Sequence, residues 1–134
     1  MTVYPSIQEV LNIHRLLIAA FGGAPGVRDH SAIESALGRL SSGYYDDTIA
    51  EAAALWDSLS QNHPFVDGHK RVAMTVALAF LRLNGYRVEF RDQETYEFLI
   101  GLYDTGTFCF LELDRWLRSH VNSSGQGSLA PADE

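Results

Sequence analysis

At 134 residues the chain can form one domain with a genuine core, and ten basic against seventeen acidic side chains leave a formal charge of −7. That balance excludes the extended basic face of a nucleic-acid binder, although two or three cations still suffice to hold a nucleotide. Cys109 is the single cysteine, so neither an intrachain disulfide nor a cysteine metal cluster can be built, which fits a reducing cytoplasm.

Met1 to Ser6 lacks the basic start and apolar stretch of a signal peptide. Ser6 and Glu9 form a capping box that predicts an amphipathic helix to about Ala20, with Ile7, Val10, Leu11, Leu17 and Ile18 on one stripe. His14 lies among these apolar residues and reads as a core histidine. The glycine- and proline-dense stretch 21–27 must be loop. Asp29 or Ser31 then caps a short helix carrying Ile33, Leu37 and Leu40; Arg28 and Asp29 either steady a nearby site or make a local cap and salt bridge. Residues 41–47 are a polar connection with adjacent Tyr44 and Tyr45. Thr48 and Glu51 read as a second capping box, opening a helix to about Gln61 with Trp56 on its apolar side.

A helix from about His69 to Asn84 follows, stopped by Gly85 in the left-handed conformation. Its run Val72 to Leu81 is almost wholly apolar, predicting burial on every face; it is too short to span a bilayer and is bounded by Arg71 and Arg82. Tyr86 to Phe90 alternates like a short strand. Asp92 is placed as the cap of a helix to about Tyr103, and a turn at 104–107 leads to a last helix, bearing Trp116, that ends near His120. The reading is an all-α domain over 1–121, with a small, polar, disordered tail over 122–134.

The chemistry concentrates in His63-Pro-Phe-Val-Asp-Gly-His-Lys-Arg71, at the mouth of the apolar helix. A helix start offers unpaired N–H groups and the positive end of the macrodipole, so it suits a phosphate. Lys70 and Arg71 sit where that dipole disfavours cations, and together they can clamp two phosphates; the plainer alternative is a pair of surface cations meeting carboxylates. Pro64 biases His63 into the loop. His63 is either a general base for a hydroxyl or a loop histidine bonded to backbone, and the company of Asp67, Lys70 and Arg71 favours the base. Asp67 is a hard oxygen ligand for Mg²⁺ or a helix N-cap. Gly68 permits close approach of a ligand or a positive φ. Phe65 is a structural anchor that plugs the loop into the core. His63 and His69 lack the i, i+4 spacing of a helical zinc site.

These nine residues resemble the signature of the Fic/Doc family, H-x-F-x-(D/E)-G-N-(G/K)-R. Residues 22–29, 52–54 and 79–85 are also similar to its Doc, or death-on-curing, branch, so the likeness spans about 4–120. The resemblance implies a compact Fic-type helical bundle around a buried central helix, and transfer of a phosphate-containing group from ATP, with Mg²⁺, to a protein hydroxyl. Most Fic proteins transfer AMP. Doc toxins carry a lysine at the place of Lys70 and phosphorylate elongation factor Tu, and the further arginine of AMP-transferring members is replaced by Met74; both departures favour the Doc kinase reading. By position, His63 is then the base, Asp67 holds metal or target, and Gly68, His69, Lys70 and Arg71 bind nucleotide phosphates. Tyr44 and Tyr45 fall near the target-docking flap. His69 stands where the family has asparagine, so a catalytically impaired binding protein is a competing reading. The inhibitory pattern (S/T)-x-x-x-E-(G/N) is not found in the chain, which implies an antitoxin acting in trans through a tail laid into a groove.

Overall fold

A computed structural model describes residues 2–61, 64–65 and 69–122. Among the described residues six helices carry the fold: α1 (Ile7–Phe21), α2 (His30–Leu40), α3 (Thr48–Gln61), α4 (His69–Leu83), α5 (Asp92–Thr105) and α6 (Phe110–His120). A two-stranded antiparallel ladder joins β1 (Arg87–Val88) to β2 (Val121–Asn122), pairing Arg87 with Asn122 and Val88 with Val121. That pairing takes in Asn122, which the sequence reading had assigned to the tail. The rest of that tail, from 123 on, lies outside the described residues.

Local chemistry explains most helix ends. Ser6 and Glu9 cap α1 reciprocally, the Glu9 N–H donating to Ser6 Oγ at 3.2 Å and the Ser6 N–H to Glu9 Oε1 at 2.7 Å. Asp29 accepts from the Ala32 N–H and caps α2. Gly85, at φ +89°, ends α4: its N–H donates to the Arg82 carbonyl and the Tyr86 N–H to the Leu81 carbonyl, a complete Schellman motif. Two expected caps are corrected. Asp47, not Thr48, caps α3, accepting from the Ala50 N–H at 2.9 Å. Glu51, expected to close that cap, is buried and instead accepts the Tyr4 hydroxyl at 2.9 Å. Asp92 is the first residue of α5 rather than its cap, which is Arg91 without a side-chain bond.

The core is built around α3 as much as α4. Every residue from Ala50 to Trp56 is buried, because small alanines let neighbouring helices close in on several sides. Trp56 meets Trp116 of α6 edge-to-face at 5.8 Å. The expectation that α4 is buried all round is corrected. Val72, Ala73, Val76, Ala77, Phe80 and Leu81 are buried, whereas Met74, Thr75 and Leu78 are only half-covered and Ala79 is exposed. Among the described residues, α1 and α5 cover that side only in part. The N-terminal strap lies along the opposite end of α4, where the Asn84 amide exchanges hydrogen bonds with Val3 N–H and carbonyl, and Tyr4 stacks on Phe80. No helix among the described residues is long and apolar enough to cross a membrane.

Candidate functional site

Between α3 and α4, Pro64 and Phe65 are tied down by parts of the chain remote in sequence. Phe65 is fully buried; its ring stacks on His14 of α1 at 4.2 Å, and its backbone bridges Val27. The carbonyl of Pro64 accepts from both the Arg28 and Asp29 N–H groups, at 2.7 and 2.9 Å. The glycine-rich segment therefore braces the loop while Asp29 also caps α2. Gln61 ties the end of α3 to the turn before α6, donating to the Phe108 carbonyl at 2.7 Å.

His63, Asp67 and Gly68 lie outside the described residues, as does the side chain of His69, whose backbone opens α4. Lys70 and Arg71 are exposed in the first turn of α4 and diverge. The Lys70 ammonium stands 4.2 Å over the ring of Tyr103 in α5, and the Arg71 guanidinium 4.6 Å from the ring of Phe21 at the end of α1. No carboxylate of a described residue forms an ion pair with either. Both cations rest on aromatic faces, flanking a helix start where their charge is disfavoured by the dipole. Tyr103 is braced by Phe108, stacked at 4.6 Å, and burial pushes its phenol pKa up.

One cleft adjoins this helix start, and a second lies on α3. The first, about 540 Å³, is an apolar trough between α1, α4 and α5 walled by Leu17, Met74, Leu78, Phe90 and Leu99, with Arg71 at its edge. Thr95 in its lining is buried and its hydroxyl has no hydrogen-bond partner among the described residues. The second, about 450 Å³, lies between the 41–47 connection, α3 and the start of α6. Tyr44 and Tyr45 stand there edge-to-face at 5.0 Å, Tyr45 reaches Phe110 at 5.9 Å, and Asp46 and Asp57 supply carboxylates. The connection is fixed at its end by Asp47, which caps α3 and accepts both terminal nitrogens of Arg118 at 2.9 and 3.0 Å. The Arg118 bonds hold the Asp47 carboxyl below the usual carboxylate range.

Of the residues singled out from the sequence, Lys70, Arg71, Tyr44 and Tyr45 are described, and beside them the structure adds Tyr103, Phe21 and Asp57, which the sequence reading did not single out. The first two become visible only when α5 and α1 fold onto α4. Asp57 carried a weak signal, as an acid on a helix otherwise almost wholly apolar or small through Leu59.

Comparison with known proteins supplies an independent finding. The sequence pattern of the Fic/DOC family matches residues 4–81. The chain is 38% identical over 93 residues to the toxin Doc of Mycolicibacterium smegmatis, covering 66% of this chain and 69% of that protein. It is 31% identical over 100 residues to the protein kinase doc of Escherichia phage P1, covering 72% and 79%.

Proposed function

The chain belongs to the Fic/DOC family, and on that premise we propose that it is the toxin of a toxin–antitoxin pair, transferring phosphate from ATP to a hydroxyl of a translation factor, elongation factor Tu, in the cytoplasm. The observation that carries this reading is the pair Lys70 and Arg71: two cations at a helix start, resting on rings and free of carboxylate partners among the described residues. A triphosphate offers both of them, and the N–H groups behind them, the negative charge that position lacks.

In this mechanism His63 takes the proton of the acceptor hydroxyl, whose oxygen then bonds to the γ-phosphorus as the bond to ADP breaks. Lys70 and Arg71 hold the phosphate charge as it shifts toward the leaving group. Asp67 with phosphate oxygens is a donor set that suits Mg²⁺, which usually keeps one or two carboxylates; the ion supplies further charge neutralisation. The apolar trough beside Arg71 is the kind of groove an amphipathic antitoxin helix covers, so restraint in trans fits its chemistry.

Incubation with elongation factor Tu and ATP labelled at either end tests the reading. The γ-label should move to the factor; a label arriving only from the α-position means AMP transfer instead. His63→Ala should abolish transfer, and unchanged turnover would remove His63 from the chemistry. One specific residue favours a second reading, a silent binding member: His69 in place of asparagine. If only the His69→Asn variant is toxic on expression, the silent reading stands, whereas toxicity of the native chain discards it.

A further inference from the structure

The cavity beside Tyr45 contains features that phosphate handling does not use. Its floor is a stripe of α3, Ala50, Ala54 and Asp57, positions that share one helix face by their spacing. Its walls are the rings of Tyr44, Tyr45 and Phe110. Its charge is negative: Asp46 and Asp57 line it, and neither forms an ion pair with a described cation. Arg39 donates to Ser58 Oγ at the rim and offsets part of this field, leaving two carboxylates against one guanidinium. Asp57 bears a standing cost. Its Oδ1 is buried and has no hydrogen-bond donor among the described residues. Burial also pushes its pKa up, and the neighbouring Gln61 amide opposes that only in part.

Aromatic faces and carboxylates around a cleft of small-ligand size favour one chemical class above others, an organic cation on an aliphatic stem. The stem covers the rings, and the charge meets the acids. Asp57 also lies one helical turn before Gln61, where α3 ends and the signature loop begins. A guest there lies one helical turn from the end of α3. We propose that this cavity receives a basic side chain, lysine or arginine, of the protein whose hydroxyl is modified, so that acceptor choice depends on a neighbouring cation. This rests on the transfer reading for the identity of the guest, while the cavity's preference for a cation can be measured without it.

The test uses the full chain and four probes: N-acetyl-lysine and N-acetyl-arginine methylamides, with the neutral isosteres built on norleucine and citrulline. Ring resonances of Tyr44, Tyr45 and Phe110 are followed by NMR during titration, without nucleotide. At least one cationic probe should give saturable shifts at these rings, and its neutral partner should not. Asp57→Asn should weaken that binding about two- to fivefold, the size of a partly screened charge contact. Tyr44→Ala, at a ring 81% exposed, should weaken it about two- to fivefold without threatening the fold. Absence of saturable shifts with both cations, equal response to the neutral isosteres, or indifference to Asp57→Asn would each overturn the proposal. A cation site in a chain that transfers nothing would sink the kinase reading alone, and an active kinase indifferent to both cations would sink this inference alone.

Discussion

The acidic cavity beside Tyr45 and the apolar trough beside Arg71 are similar in size, about 450 and 540 Å³, one lying on α3 and the other on α4. Their economies are opposite. The trough exposes aliphatic surface of α4 and keeps one buried hydroxyl, that of Thr95, without a partner among the described residues, so occupation by an apolar guest removes surface from water. The cavity holds ionisable acids against aromatic walls, so occupation by a cation relieves desolvated charge. One helix pair thus presents two surfaces whose guests need not compete chemically. If the trough takes an antitoxin and the cavity a target side chain, as proposed, either can change without rewriting the other.

The largest effect is expected between the two helices that carry the clefts. Phe65→Ala removes a fully buried ring stacked on His14 and should cost about 3–5 kcal/mol in urea unfolding. A loss under 1 kcal/mol would mean the loop is held elsewhere. Asp47→Ala acts on the cavity wall alone. It deletes the cap of α3 and the Arg118 bridge, a combined loss of about 1–2 kcal/mol, with dye binding in the trough unchanged. Because Asp47 titrates below its ordinary range, its contribution is present above the unfolded carboxylate value and disappears as pH falls through the lowered folded value. Unfolding at neutral and acidic pH should therefore separate wild type from variant only at neutral pH.

Asp57→Asn sharpens the comparison from the other side. A carboxyl raised in the folded state gives stability below its unfolded value that is lost as pH rises through the raised one. Asparagine lacks that loss, so the variant should be slightly more stable than wild type near pH 7, within about 1 kcal/mol, and indistinguishable in acid. More stability with weaker cation binding is the signature of a residue kept for use rather than for folding. The smallest effect is expected at Tyr103. Replacing its ring by leucine removes the support under Lys70 and should weaken binding of a non-hydrolysable ATP analogue about two- to fivefold, while Tyr103→Phe should not. Equal weakening by both would assign the effect to the hydroxyl.

What the sequence disclosed depended on how local the cause was. The Ser6 and Glu9 box, the Asp29 cap and the Gly85 stop are decided within five residues, and each lies where the pattern places it. Glu51 was misread because its partner, Tyr4, is 47 residues away and outcompetes a cap within reach of its own helix turn. The apolar run of α4 told how much surface seeks cover but not which side a neighbour would leave open. The same limit governs the site. Lys70 and Arg71 stand out by their position at a helix start, while the rings beneath them arrive from α5 and α1.

The fork from Arg118 to Asp47 leaves the 41–47 segment tethered like a flag on a pole. Its far end is stapled to α6, and Tyr44, three residues along, is mostly in solvent. That staple is itself half in water, its two side chains 42% and 44% exposed, so dissolved ions dilute its grip. Raising salt at constant pH should let the segment flutter more widely, measurable as falling amide order from Asp47 back toward Ser42. Ionic strength then sets how far the aromatic doorway gapes, a dial that acts without any group gaining or losing a proton.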